Sequence, residues 1–86
     1  MKEVLLSSTG RYYLLKDLDR NNKLIEVVSL MSGKILSLNE KVRLGKNEAR
    51  IVKIRQDPDD RLIGVSTSEG ITYVRPSEVK DLYEAR

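Results

Sequence analysis

Cysteine and histidine are both missing from the 86 residues. The first absence excludes disulfide frameworks, zinc–thiolate sites and cysteine nucleophiles. The second removes the commonest general base and the commonest transition-metal ligand. Tryptophan and phenylalanine are also absent, and the only aromatic residues are four tyrosines. No apolar run approaches the ~20 residues of a membrane span. The opening Met1-Lys2-Glu3-Val4-Leu5-Leu6-Ser7 has three consecutive apolar residues, too few for a signal-peptide core. A soluble, cytoplasmic protein with no cofactor and no membrane contact is the expectation.

What remains is a 9.8 kDa chain, 40% hydrophobic and 34% charged, a composition that folds rather than staying disordered. One small domain spanning 1–86 is expected, because a chain this short buries only about 60–65% of its unfolded surface. The formal charge is +3 and the pI about 9.3.

The apolar residues fall in short blocks divided by turn chemistry: Val4–Ser7, Arg11–Leu18, Leu24–Leu30, Lys34–Leu38, Lys41–Leu44, Ala49–Arg55, Leu62–Ser66 and Ile71–Arg75. Runs of four to eight residues between Gly, Asn, Asp and Pro clusters predict antiparallel hairpins and an all-β fold. A single helical turn is predicted at Pro76-Ser77-Glu78-Val79, where Pro suits a first helical position and Glu78 favours the positive N-terminal end. Gly64, inside a strand, is expected to mark a bulge or sharp coil.

The chain also echoes itself. Leu14-Leu15-Lys16 aligns with Ile51-Val52-Lys53, Lys23–Val27 with Arg61–Val65, Gly33 with Gly70, and Glu40-Lys41-Val42 with Ser77-Glu78-Val79. If this reflects duplication of 4–44 and 41–82, two arrangements are open. One is a pair of half-barrels related by a pseudo-two-fold axis; the other is two mini-barrels sharing a strand near 41–44. Two β-meanders can also align in this way through hydrophobic patterning alone.

Residues 41–82 carry Lys-Val-Arg-Leu-Gly, then Glu-Ala-Arg-Ile-Val-Lys-Ile, an acidic turn, Leu-Ile-Gly-Val, Glu-Gly-Ile-Thr-Tyr-Val and Ser-Glu-Val-Lys-Asp-Leu. This order resembles SH3-like small β-barrels of the Tudor and KOW type. The resemblance implies a five-strand barrel with a 3₁₀ turn before its last strand. The chain departs from methyl-lysine-reading Tudor domains, whose cation–π cage needs several rings around one point. Here Tyr12 and Tyr13 fall in one copy and Tyr73 and Tyr83 in the other. The nucleic-acid and RNA-polymerase contacts of KOW-like domains need no such cage. A fainter similarity, at Val74-Arg75-Pro76-Ser77-Glu78-Val79, is to RNA-binding carbon-storage regulators.

The modest net charge hides an asymmetry. Residues 1–40 carry a local +1, residues 41–55 a local +5, and residues 56–86 a local −3. Lys41, Arg43, Lys46, Arg50, Lys53 and Arg55 stand against Glu48 alone. On adjacent strands, Lys41 with Arg43 and Lys53 with Arg55 would point outward, leaving Val42, Leu44, Val52 and Ile54 for the core. Such a face can neutralise several phosphates. Tyr73 and Arg75 would share the outward side as a stacking-plus-phosphate pair. The ordinary alternatives are a solvated charged sheet face and a tyrosine filling a half-buried position.

Asp17-Leu18-Asp19-Arg20-Asn21-Asn22-Lys23-Leu24 copies the opening of an EF-hand loop, but Val28 stands where the bidentate Glu belongs. A hairpin turn accounts for the same residues. Ser7, Ser8 and Thr9 have no His or Cys to activate them, and no glycine-rich phosphate loop exists, so no enzyme is expected. Two functions remain: a nucleic-acid-associated accessory module of transcription or translation that binds RNA or DNA, and a protein-interaction adaptor. In the adaptor, acidic turns and edge strands would carry the contact.

Overall fold

Most β-rich runs stop at or near a residue with a left-handed backbone, among them Gly10, Asn21, Asn22, Gly33, Asn39 and Gly45. The computed structural model of the chain describes residues 1–82 and contains nine strands. They are β1 (Lys2–Leu6), β2 (Tyr12–Asp17), β3 (Lys23–Ser29), β4 (Ile35–Ser37), β5 (Lys41–Leu44), β6 (Asn47–Ile54), β7 (Ile63–Thr67), β8 (Gly70–Val74) and β9 (Val79–Asp81). A 3₁₀ turn at Pro76–Glu78 precedes β9, where the sequence places it. The supposed calcium loop is the β2–β3 turn, with Asn21 at φ 57° and Asn22 at φ 59°. Asparagine tolerates that region because its short amide bonds its own backbone.

The strands form two antiparallel sheets, ordered β1-β2-β3-β4 and β8-β7-β6-β5-β9. The fold is therefore all-β, but the sheets do not close into the expected barrel. Among the described residues, strand β4 has three residues and pairs only with β3, while the outer edge of β1 carries no strand. At the corner, Asn39 N–H donates to Ile51 O at 2.7 Å and Ile51 N–H to Glu40 O at 2.9 Å. That short link carries the chain from one sheet to the other without a continuous ladder between them.

The inward rows of both sheets share one core. Leu5, Leu14, Val27 and Leu36 stand in register across β1–β4. They meet Val42, Ile51, Ile54, Leu62, Ile63, Val65 and Val79 of the second half. Positions aligned in the sequence echo are buried in both halves: Leu14 and Ile51, Val27 and Val65, Val42 and Val79. The halves also repeat a local device. Ser37 N–H donates to the Glu40 carboxylate at 2.9 Å, and Arg75 N–H to that of Glu78 at 3.0 Å. In each case the glutamate N–H returns a bond to the same residue's carbonyl.

A partly buried polar clamp, from exposed Thr9 to buried Asp60, ties the first hairpin to the acidic turn of the second half. Thr9 Oγ1 lies 2.8 and 2.7 Å from the two carboxylate oxygens of Asp60, which has φ 64° and is 4% exposed. Buried Ser7 accepts the Tyr12 N–H at 3.1 Å beside it.

Candidate nucleic-acid interface

The basic face depends on a break in strand alternation. In Ala49-Arg50-Ile51-Val52-Lys53-Ile54-Arg55, strict period-two alternation would put Arg50 on one face and Lys53 and Arg55 on the other. The register shifts between Ile51 and Lys53, so Val52 is an extra residue in β6. Ala49, Ile51 and Ile54 are buried, while Arg50 and Lys53 are exposed and Arg55 is half-buried, all three cations on one side. Val52 was expected in the core; as the bulged residue it is instead 36% exposed. The irregularity lies in β6 opposite Gly64, rather than at Gly64 itself.

Pairing of β5 with β6 sets Lys41 beside Arg50 and Arg43 beside Glu48. Val42 is buried between them, as expected. On its other side Arg43 faces Lys80 of β9. The outer surface of β9-β5-β6 therefore gathers Lys80, Arg43, Lys41, Arg50 and Lys53, with Glu48 among them. Lys46 is separated from Lys53 and Arg55. It occupies the two-residue β5–β6 turn, where Gly45 has φ 64°, roughly 20 Å along the strand from Arg55.

Tyr73 pairs with Arg55 rather than Arg75. The register places Gly64 between Lys53 and Tyr73 on the outer face. The ring lies over the glycine: a Cβ added to Gly64 would sit 2.9 Å from Tyr73 Cε1 and 3.3 Å from Lys53 Cβ. The Arg55 guanidinium carbon lies 3.7 Å from the ring centroid, a cation–π contact. Arg55 Nε donates to Arg61 O at 3.0 Å, and its Nη2 lies 3.5 Å from Asp57 Oδ1. Arg75 is turned away, donating through Nε to Asp59 O at 2.9 Å. Arg55 thus covers the tyrosine face that the sequence offered to a base, and presents its own guanidinium plane there. Tyr83 lies outside the described residues.

The acidic turn stays close to this end. Backbone N–H groups of Asp59 and then Arg61 donate to the Asp57 carboxylate. These bonds, with Arg55 and Arg61 nearby, hold its pKa below the ordinary aspartate value despite some desolvation. Asp57 therefore stays ionised and holds Arg55, while Lys41, Lys46 and Lys53 make no ion pair among the described residues.

Beside Lys53 an open cleft of about 610 Å³ runs between the β2–β3 turn and β6. Leu24, Leu38 and Val52 give it apolar walls, and Lys23, Lys53 and Arg55 give it positive charge. The sequence reading missed Lys23 and Lys80, because only non-local pairings bring them here. A small apolar recess rimmed by cations suits a flat ring carrying a phosphate. Among the described residues, no group of three acidic side chains is placed to hold a metal.

Arranged this way, the surface can attract and position a polyanion. Its apolar recess lies beside exposed Lys23 and Lys53, and its Arg55 guanidinium lies over the Tyr73 ring. No protein-family model, no curated protein sequence and no solved structure matches the chain.

Proposed function

We propose that the protein is a small, non-enzymatic, intracellular nucleic-acid-binding module, an accessory factor of transcription or translation. RNA or DNA would dock on the outer face of the five-stranded sheet. Lys41, Arg43, Arg50, Lys53 and Lys80 contact phosphates, and a base enters the cleft against Leu24, Leu38 and Val52. Arg55, held flat on Tyr73, offers a stacking plane, as guanidinium groups do for unpaired bases. Phosphate contacts position the strand and confer little sequence preference.

The observation that carries this reading is the β6 bulge. It brings Arg50 and Lys53 to one face beside Lys41, and leaves a hydrophobic residue, Val52, exposed in the recess next to them.

The test is binding of an unstructured oligonucleotide, measured by fluorescence anisotropy across a salt series. Neutralising about four phosphates gives a log–log slope near −3 on a single strand. The double reversal Arg50→Glu/Lys53→Glu is expected to weaken binding at least tenfold. Absence of binding at low salt, or binding that survives the double reversal, refutes the proposal.

A further inference from the structure

Strands β1 to β3 carry apolar residues at consecutive positions, Val4-Leu5-Leu6, Tyr12-Tyr13-Leu14-Leu15 and Val27-Val28. Such runs belong to sheets covered on both faces, whereas a sheet with one wet face alternates. Among the described residues only one face of β1-β2-β3-β4 is covered. Leu5, Leu14, Val27 and Leu36 point to the core, and the adjacent rows point out: Leu6–Tyr13–Val28–Ile35 and Val4–Leu15–Glu26–Ser37.

We propose that this outer face is the interface between two copies of the chain, packed sheet on sheet about a two-fold axis. Val4, Leu6, Tyr13 and Ile35 are 43–56% exposed. With Leu15 and Val28, which are partly covered, they present on the order of 500 Å² of apolar surface, at the upper end of what monomers leave open. Two such faces bury about 1,000 Å² between them, and a polar rim brings the total into the ~1,200–2,000 Å² class of specific interfaces.

Charge selects the occupant. The only ionisable residue in the two rows that is not a phenol is Glu26, 3.4 Å from the Ser37 hydroxyl. A lipid-docking face mixes cations among its apolar residues, whereas these two rows hold none; Lys2 and Lys23 of the same sheet stand beyond them, in a row with Asp17. An isologous contact needs only that the patch complement itself, which a flat apolar patch does without matching charges. Face-to-face sheets about 10 Å apart interleave such rows directly. The pairing leaves the basic sheet of each copy outermost and does not depend on what that sheet binds.

Sedimentation equilibrium of the purified chain without nucleic acid tests the inference. Across micromolar concentrations the expected mass is twice 9.8 kDa. Leu6→Lys and Ile35→Lys are each expected to weaken dimerisation at least tenfold. Ile71→Lys, at an exposed position on the other sheet, is expected to leave it unchanged. In mixed labelled and unlabelled wild-type samples, intermolecular NOEs are expected among the methyl groups of Val4, Leu6 and Ile35, a readout that needs no variant to fold. A monomer at every concentration, a dimer indifferent to both lysine variants, or intermolecular NOEs confined to other methyl groups overturns the inference. So does a chain that remains monomeric while binding neutral vesicles.

Discussion

Replacing Thr9 by valine removes one hydroxyl and almost no volume, yet it is expected to be among the most destabilising changes outside the apolar core. Asp60 is 4% exposed, and both its carboxylate oxygens take their short contacts from Thr9 Oγ1, at 2.8 and 2.7 Å. Valine leaves a buried carboxylate without its donor. A neutral acceptor stranded in this way costs about 1–3 kcal/mol and a charged one more, but Thr9 is exposed and lets water reach the site, so Thr9→Val should cost about 2–3 kcal/mol. Asp60→Asn keeps a residue suited to φ 64° and an acceptor oxygen, and should cost only about 1 kcal/mol. Asp60→Ala loses the charge-assisted bond, about 1.5–3 kcal/mol, and replaces a residue whose short polar side chain tolerates the left-handed region by one that does not, for a further ~1 kcal/mol. In the Thr9→Val/Asp60→Ala double variant no charge remains to be stranded, so its destabilisation should fall well short of the sum. The coupling is expected at about 2 kcal/mol. Urea unfolding at constant m-value is the assay, and a Tm drop of about 10–20 °C for Thr9→Val follows from the size of the domain. Coupling below about 0.5 kcal/mol would show that Thr9 and Asp60 act independently and that the clamp does not join the two halves.

Gly64→Ala is expected to destabilise by about 1–2 kcal/mol, since overpacking against Tyr73 and Lys53 outweighs the smaller entropy of the unfolded chain. In a Tyr73→Ala background the same substitution should be close to neutral; an equal cost in both backgrounds would rule out the ring contact as its cause. The Tyr12 phenol is held above its usual 10.0, first by burial and then by the Asp60 carboxylate, with Arg11 and Arg75 pulling the other way. A folded pKa above the unfolded one gives stability that is complete below pH 10 and is lost as pH rises through the folded value. Absorbance titration should therefore show a late-ionising phenol that Tyr12→Phe removes and Asp60→Asn moves down; a Tyr12 that ionises with an ordinary phenol contradicts the burial.

The strands were legible because each combines a β-rich run with a local stop signal. Asn21-Asn22, Gly45-Lys46 and Ser68-Glu69-Gly70 each end a strand at the expected place, and Pro76 opens the 3₁₀ turn. Barrel closure was not legible. It depends on which edges meet, and nothing local distinguishes β1, whose outer edge carries no strand among the described residues, from β5, whose corresponding edge holds β9. The candidate site was readable as a density of cations between residues 41 and 55 but not as a geometry. Arg75 was assigned to Tyr73 by proximity in sequence, whereas the carbonyl of Asp59 takes Arg75 and Arg55 reaches the ring from another strand. Lys23 and Lys80 carried no signal, because each joins the site through long-range pairing.

The position of Val52 links fold and proposed function most closely. Without the extra residue, β6 would have to choose between two faults. With Ile51 inward, Lys53 and Arg55 would turn toward Val65, Leu62 and the rest of the core, and burying an unpaired cation is among the costliest things a small domain can do. With Ile54 inward, Arg50 would be the buried cation and Ile51 would face water. One bulge removes the conflict, keeping Ala49, Ile51 and Ile54 inside and Arg50, Lys53 and Arg55 outside, and its cost is the exposure of a single valine. That valine lies in the cleft wall beside Lys53. The same insertion that lets the strand satisfy its core thus gathers the cations on one face and sets an apolar surface between them. The other sheet has a register shift too, between Leu15 and Lys16 against β3, but its outward rows carry Val4, Leu6, Tyr13 and Ile35 rather than cations. The two outer faces differ in which residues those outward positions hold.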